Sequence, residues 1–189
     1  MTTDSLTFAE RSNLILDEVR STLAQVDESQ LQTAAAALTD AERVFFHGAG
    51  RSGLALKMAA MRMMHLGLTV YVVGEVVTPA IREGDLLVTA SGSGTTAGVL
   101  HAAEVSKKSG ARILAITAAP TAALAQLASA LITIPAATKQ GTDRTSSQQY
   151  AGALFEQSVL LLMDTLFQFL WQKSGATAAE LWSRHANLE

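Results

Sequence analysis

Cysteine is missing from this chain of 189 residues. Its absence removes disulfides, thiolate metal sites and cysteine nucleophiles, and it fits a reducing compartment. Positive charge is scarce as well. Fourteen Lys and Arg against seventeen Asp and Glu leave a net charge of −3 and a pI near 5.8. That balance argues against a nucleic-acid binder working through a basic surface. The start, MTTDSLTFAERSN, is polar, carries an early acid and has no apolar core of a secretion signal. No long hydrophobic run is uninterrupted. The most apolar stretch, residues 154–171, contains Glu156, Gln157, Asp164 and Gln168. It predicts a helix buried in the core or between subunits rather than a membrane span. Internal repeats, low-complexity tracts and linkers are not found, and no histidine pair has a metal-ligand spacing such as HExxH. No metal site is expected.

Hydrophobic residues make up 49% of the chain, enough for one domain with a sizeable core. Mean hydropathy of +0.24 with only 16% charged residues points to a subunit interface. Residues 5–38 read as one or two helices, with Leu14, Ile15, Val19, Leu23 and Val26 at helical spacing and Asp27 placed to cap a second helix. The period then changes. Short apolar runs at 43–48, 69–74, 86–91, 111–117 and 130–135 read as strands, and helical patterns follow at 52–66, 96–110 and 120–128. Gly67 reads as a helix stop. A polar loop is expected over 136–147 and a long helix over about 148–173.

Strands alternating with helices predict a three-layer α/β/α sandwich around a five-stranded parallel sheet. The expected order is flavodoxin-like, 2-1-3-4-5, with N-terminal helices (about 5–38), an α/β core (about 43–135) and C-terminal helices (about 148–185) in a single domain. In that order ligands bind beyond the carboxyl ends of strands 1 and 3, where the winding reverses. The loops there are GAGRS and SGSGTT.

Gly48, Gly50 and Gly53 match the dinucleotide fingerprint GxGxxG, and Glu75 lies where a ribose-binding acid would stand. Against that reading, a pyrophosphate leaves the hydroxyl cluster Ser91, Ser93, Thr95 and Thr96, set around Gly92 and Gly94, with no task. No GK[ST] follows the glycines, so a P-loop is also absent. SGSGTT alone reads rather as a flexible turn with a serine or threonine N-cap. Two such loops at one crevice point instead to a terminal phosphate. The candidate ligands are Ser52, Ser91, Ser93 and Thr96 with the backbone of Gly48, Gly50, Gly92, Gly94 and Thr95. Ser52 reads equally as an N-cap. Arg51 steers the anion or sugar hydroxyls, or forms an ion pair with Glu75 or Asp85.

Glu156 begins a helix that is apolar almost all round. The position suits a shielded general base, and it also suits a solvated or structurally paired acid. His65, at the end of a helix, caps it or meets its dipole. His185 lies in a tail that would ordinarily fray. His47 reads as structural and His101 as inert. Met58, Met61, Met63 and Met64 read as core or interface filling.

The segments GAGRSG, AMRMMHLG, VYVVGEVVTPAI, GDLLVTASGSGTT, GALFEQ and RHANLE resemble the sugar isomerase (SIS) domain, and more narrowly the 6-phospho-3-hexuloisomerases, from about residue 10 to the C-terminus. SGSGTT is common to many SIS proteins, whereas MRMMHLG, VGEVVTP and RHANLE together are far more specific. The resemblance implies interconversion of D-arabino-hex-3-ulose 6-phosphate and D-fructose 6-phosphate through a cis-enediolate, in the cytoplasmic ribulose monophosphate pathway of formaldehyde fixation. It implies no metal or organic cofactor, no nucleic-acid or membrane partner, and a dimer or tetramer whose active sites borrow residues from neighbours. It makes Glu156 the base. It gives His65 a place in a substrate or structural network, and it has the tail carry His185 to an active site, in the same or a neighbouring subunit. SSQQYAGALFEQ departs from the family by lacking the usual proline before FEQ. Another SIS isomerase, such as one acting on arabinose 5-phosphate, or a non-catalytic phosphosugar sensor are the alternatives; residues 1–40 are too short and insufficiently basic for a sensor's DNA-binding domain.

Overall fold

A computed structural model describes residues 6–136 and 147–188. Helices α1 (Phe8–Leu23) and α2 (Glu28–Thr39) open the chain. Each has a side-chain cap: Thr7 forms a capping box with Glu10, and Asp27 accepts from the Ser29 amide. There follow β1 (Val44–Gly48), α3 (Gly50–Leu66), β2 (Val70–Val72), β3 (Leu86–Ala90), α4 (Ala97–Lys108), β4 (Arg112–Thr117), α5 (Ala123–Leu127), β5 (Ala130–Thr133), α6 (Ala153–Ser174) and α7 (Ala178–Trp182).

The strands form one parallel sheet in the order β2-β1-β3-β4-β5, as their near-continuous apolar sequences require. Alternation along each strand sends neighbours to opposite faces. Phe46 and Val88 join Leu56, Met63, Val159 and Leu162 on the face covered by α2, α3 and α6. Phe45 and Leu87 join Val99, Ala103 and Leu124 under α4 and α5. Each such side chain contributes roughly 1.5–3 kcal/mol on burial.

Two expectations need adjustment. The residues from 148 to 152 are not helical, and α6 starts only at Ala153. Ala151 sits there at a φ of 52°, a left-handed conformation that interrupts any helix built of L-residues. The expected strand at 69–74 shrinks to Val70–Val72, an edge strand paired only with β1. The polar loop expected over 136–147 lies mostly outside the described residues. Helix α6 is long and apolar enough by composition to cross a membrane. It packs instead against α3 and α1 and buries Phe155, Val159, Leu162, Met163, Leu166 and Leu170.

Helices α3 and α6 run side by side in the same direction. Arg51 meets Glu156 at their beginnings, and further along Arg62 meets Asp164 at 3.5 Å and lies over the Phe167 ring. Both helices therefore start at the carboxyl edge of the sheet.

Candidate active site

The junction of β1 and α3 is built by close approach. A methyl group on Gly53 would run into the Gly48 carbonyl, and one on Gly48 would come within 3.0 Å of the Gly53 backbone. Gly50, at a φ of 56°, makes the turn between them. Ser52 falls inside the first turn of α3 and is buried. The N-cap is Ala49, with no side-chain bond, so the capping role expected of Ser52 is not the one it plays.

The SGSGTT loop is pinned from behind. Gly92 O accepts from Ala118 N at 3.1 Å and Thr117 Oγ1 at 3.3 Å, and Gly94 O accepts from Leu124 N at 3.1 Å. Gly94 takes a φ of 64° with the Ala122 methyl 2.6 Å from where a Cβ would stand, so no other residue fits. In front, the hydroxyls form a network. Ser91 Oγ lies 2.9 Å from Thr96 Oγ1 and accepts from Gly94 N at 3.2 Å. Ser93 Oγ accepts from Thr95 N at 3.3 Å and Thr95 Oγ1 at 3.1 Å. Thr96 is the N-cap of α4, yet its hydroxyl makes no cap bond.

Helices α3, α4 and α6 share that trait. Their N-caps, Ala49, Thr96 and Gly152, supply no side-chain acceptor, whereas α1, α2 and α7 have side-chain caps. The amides at those three ends are left with the partial positive charge of the helix dipole. The Phe155 ring lies 3.3 Å from where a Cβ on Gly92 would stand, so α6 begins against the hydroxyl loop.

Glu156 stands one residue further on. It is 6% exposed, and its Oε2 is 2.9 Å from Nε of Arg51, which is 62% exposed. This corrects the pairing expected of Arg51. Glu75 is taken by Lys57 at 2.7 Å on the surface. Asp85, fully buried, is held by Arg43 through Nε (2.8 Å) and Nη2 (2.6 Å) and by Arg82 N (2.7 Å). The carboxyl edge thus gathers Gly48, Gly50, Arg51, Ser52, the whole of 91–96 and Glu156. A shielded carboxylate beside a ring of hydroxyl and amide donors can move a proton on a ligand whose anionic group the donors hold.

His65 and His185 are brought together, but elsewhere. Their rings stack with centroids 4.5 Å apart, and Trp182 lies 4.8 Å from His185. Arg184 Nη1 donates to His65 O at 3.0 Å and so caps the end of α3. Burial holds the His65 imidazole below its ordinary pKa, and His185 and Arg62 push the same way. This cluster lies roughly 20 Å along α3 from Ser52, at 1.5 Å per residue. The tail is therefore docked on its own chain, away from that chain's Glu156.

Sequence reasoning missed Glu18. From α1 it accepts from Ser147 Oγ (2.8 Å), Gln148 N (2.7 Å) and Gln149 Nε2 (3.0 Å), fixing the segment that leads into α6. Burial raises its proton affinity, but the three hydrogen bonds outweigh that and hold its pKa below the usual value. No local pattern around residue 18 signals a partner so distant in sequence.

A family model for the SIS domain matches residues 37–161. A Mycobacterium gastri protein named 3-hexulose-6-phosphate isomerase is 54% identical over 94% of this chain and 89% of its own length. A Bacillus subtilis protein of the same name is 35% identical over 93% and 95%. Among solved structures, a Methanococcus jannaschii protein, inferred from its crystal structure to be a 3-hexulose-6-phosphate isomerase, superposes with a TM-score of 0.79 at 27% identity, over 95% of this chain and 99% of that one.

Proposed function

The chain belongs to the SIS domain family, in its 3-hexulose-6-phosphate isomerase branch, and from that premise we propose that it interconverts D-arabino-hex-3-ulose 6-phosphate and D-fructose 6-phosphate. The observation that carries the reading at the level of chemistry is the position of Glu156, shielded, paired with Arg51 and one residue after the Phe155 ring that abuts the hydroxyl loop. The hydroxyls of Ser91, Ser93 and Thr96, with Ser52 and the amides of 92–95, hold the phosphate. The Glu156 carboxylate takes the proton from C2 of the 3-ulose. The electron pair forms the C2–C3 double bond of a cis-enediolate, and the proton returns to C3 as the carbonyl forms at C2. Arg51, paired with Glu156, orients the carboxylate and meets the sugar oxygens.

His65 and His185 lie too far along α3 to reach this ligand in their own chain. In the proposed assembly they serve a neighbouring subunit's site, where imidazoles can move protons between the two oxygens of the enediolate. Leu54, Met58 and Met61 support an oligomer. They form an exposed stripe at helical spacing on α3, 62%, 54% and 57% exposed, with Arg51 at its head. The proposed setting is cytoplasmic, in formaldehyde assimilation.

Purified protein incubated with fructose 6-phosphate in deuterium oxide tests the reaction. Exchange at C3 is expected. Exchange at C1 would instead indicate an aldose product, and no exchange a sensor. Glu156→Gln should keep the fold and lose most C3 exchange; near-wild-type exchange in that variant would overturn the assignment.

A further inference from the structure

On the face of the sheet opposite Glu156 there is a cavity of about 280 Å³. Phe45 and Leu87 line it from the sheet, Ala102 and Val105 from α4, and Pro79 and Ile81 from the segment after β2. An apolar cavity of about 150 Å³ accommodates benzene, so this one has room for a fused pair of rings. Its polar groups are few and mostly engaged. Thr78 Oγ1 donates to Val72 O, and Ser106 Oγ donates to Ala102 O at 2.7 Å.

His47 and His101 also line it. His101 is exposed on α4. His47, near the end of β1, is half-buried, and Gly98 of α4 lines the cavity with it. Burial favours its neutral form, which has one N–H. The other ring nitrogen of a neutral imidazole is an acceptor. An apolar cavity lined by one imidazole acceptor is complementary to a flat apolar molecule that brings its own donor.

We propose that this cavity is a second small-molecule site, distinct from the sugar-phosphate crevice, that takes a compact aromatic ligand bearing a single N–H or O–H donor. The ligand rests on Phe45 and Leu87 between α4 and the 79–81 segment, and donates to His47. It lies behind the first turn of α4, with Gly98 between it and the hydroxyl loop, so both sites can be filled at once.

Indole is the probe, titrated into the full chain by calorimetry, without sugar phosphate and again with saturating fructose 6-phosphate. Benzofuran, the same shape without the N–H, is run beside it. Saturable one-site binding of indole is expected in both conditions, with benzofuran about fivefold to tenfold weaker, the worth of one hydrogen bond. His47→Leu should bring indole down to the level of benzofuran. Val105→Trp, filling the mouth from a half-exposed position, should abolish binding of both while the melting temperature stays near wild type. Absence of saturable indole binding overturns the proposal, as do equal affinities for the two rings, competition by fructose 6-phosphate, or unchanged indole binding in both variants. Because binding is read without turnover, the result does not depend on whether the isomerase reading holds.

Discussion

Ser91 shows how much one hydroxyl can carry. Its Oγ receives Gly94 N and touches Thr96 Oγ1, so it shapes the loop, and in the proposed reading it also donates to the phosphate. Removing it takes away one charge-assisted hydrogen bond, about 1.5–3 kcal/mol. In the proposed reading the phosphate is held alike in ground and transition states, so Ser91→Ala and Ser93→Ala are expected to raise KM roughly tenfold to a hundredfold and to lower kcat less. Steady-state kinetics with fructose 6-phosphate checks this, and an unchanged KM would count against the loop. These hydroxyls were legible in the sequence because they are local: six consecutive residues at a helix start. Arg51 was legible only as a residue worth noticing. Its partner Glu156 is 105 positions away by residue number, and spacing cannot tell that carboxylate from Glu75 or Asp85.

At the scale of single elements, α3 is fixed at both ends by unusual means. At its start the Gly48–Gly53 contact leaves no room for a side chain. Gly53→Ala must push the helix off the strand, which should cost about 1–3 kcal/mol of stability and displace Arg51 and Ser52. Denaturant unfolding reads the first and loss of kcat/KM the second. At its end, Gly67 takes a φ of 103° and Arg184 lies against it, 3.4 Å from where its Cβ would be. His65, in the last turn, has a folded pKa below that of the unfolded chain. A group depressed in this way binds fewer protons folded than unfolded, so stability rises with pH. His65 therefore costs no stability above its ordinary pKa of 6.5 and becomes destabilising as pH falls below it. Melting temperatures measured from pH 7.5 to 5.0 should fall more steeply for wild type than for His65→Gln. The stop at Gly67 could be read in the sequence; the arginine beneath it could not. The late start of α6 escaped because Gln148 to Tyr150 give no helix-breaking signal, whereas Ala151 takes a left-handed φ just after the segment that Glu18 holds at residues 147–149.

The whole molecule was the most readable level. Five apolar strands separated by helices admit few arrangements, and the order β2-β1-β3-β4-β5 follows from short, right-handed crossovers. What one chain cannot contain is a site that combines Glu156 with the His65–His185 stack. If the proposed assembly completes it, Met58→Glu together with Met61→Glu should dissociate the oligomer and abolish exchange at C3 while the monomer stays folded. Sedimentation velocity and circular dichroism read the two outcomes. Deleting residues 183–189 should remove the Arg184 cap and the histidine stack together; full activity in that protein would refute any role for the tail.

The clasp made by Glu18 also bears on how the chain is made. Its partners lie 129, 130 and 131 residues downstream. At roughly 5–20 residues per second, a ribosome needs about 6–26 s to deliver them. For that interval the first helix exists without the surface it closes on, and Phe8, Ile15 and Leu16 keep an apolar side toward water even when folding is complete. Helix α1 is thus made well before the segment that locks it, and its apolar side stays open to water throughout that interval.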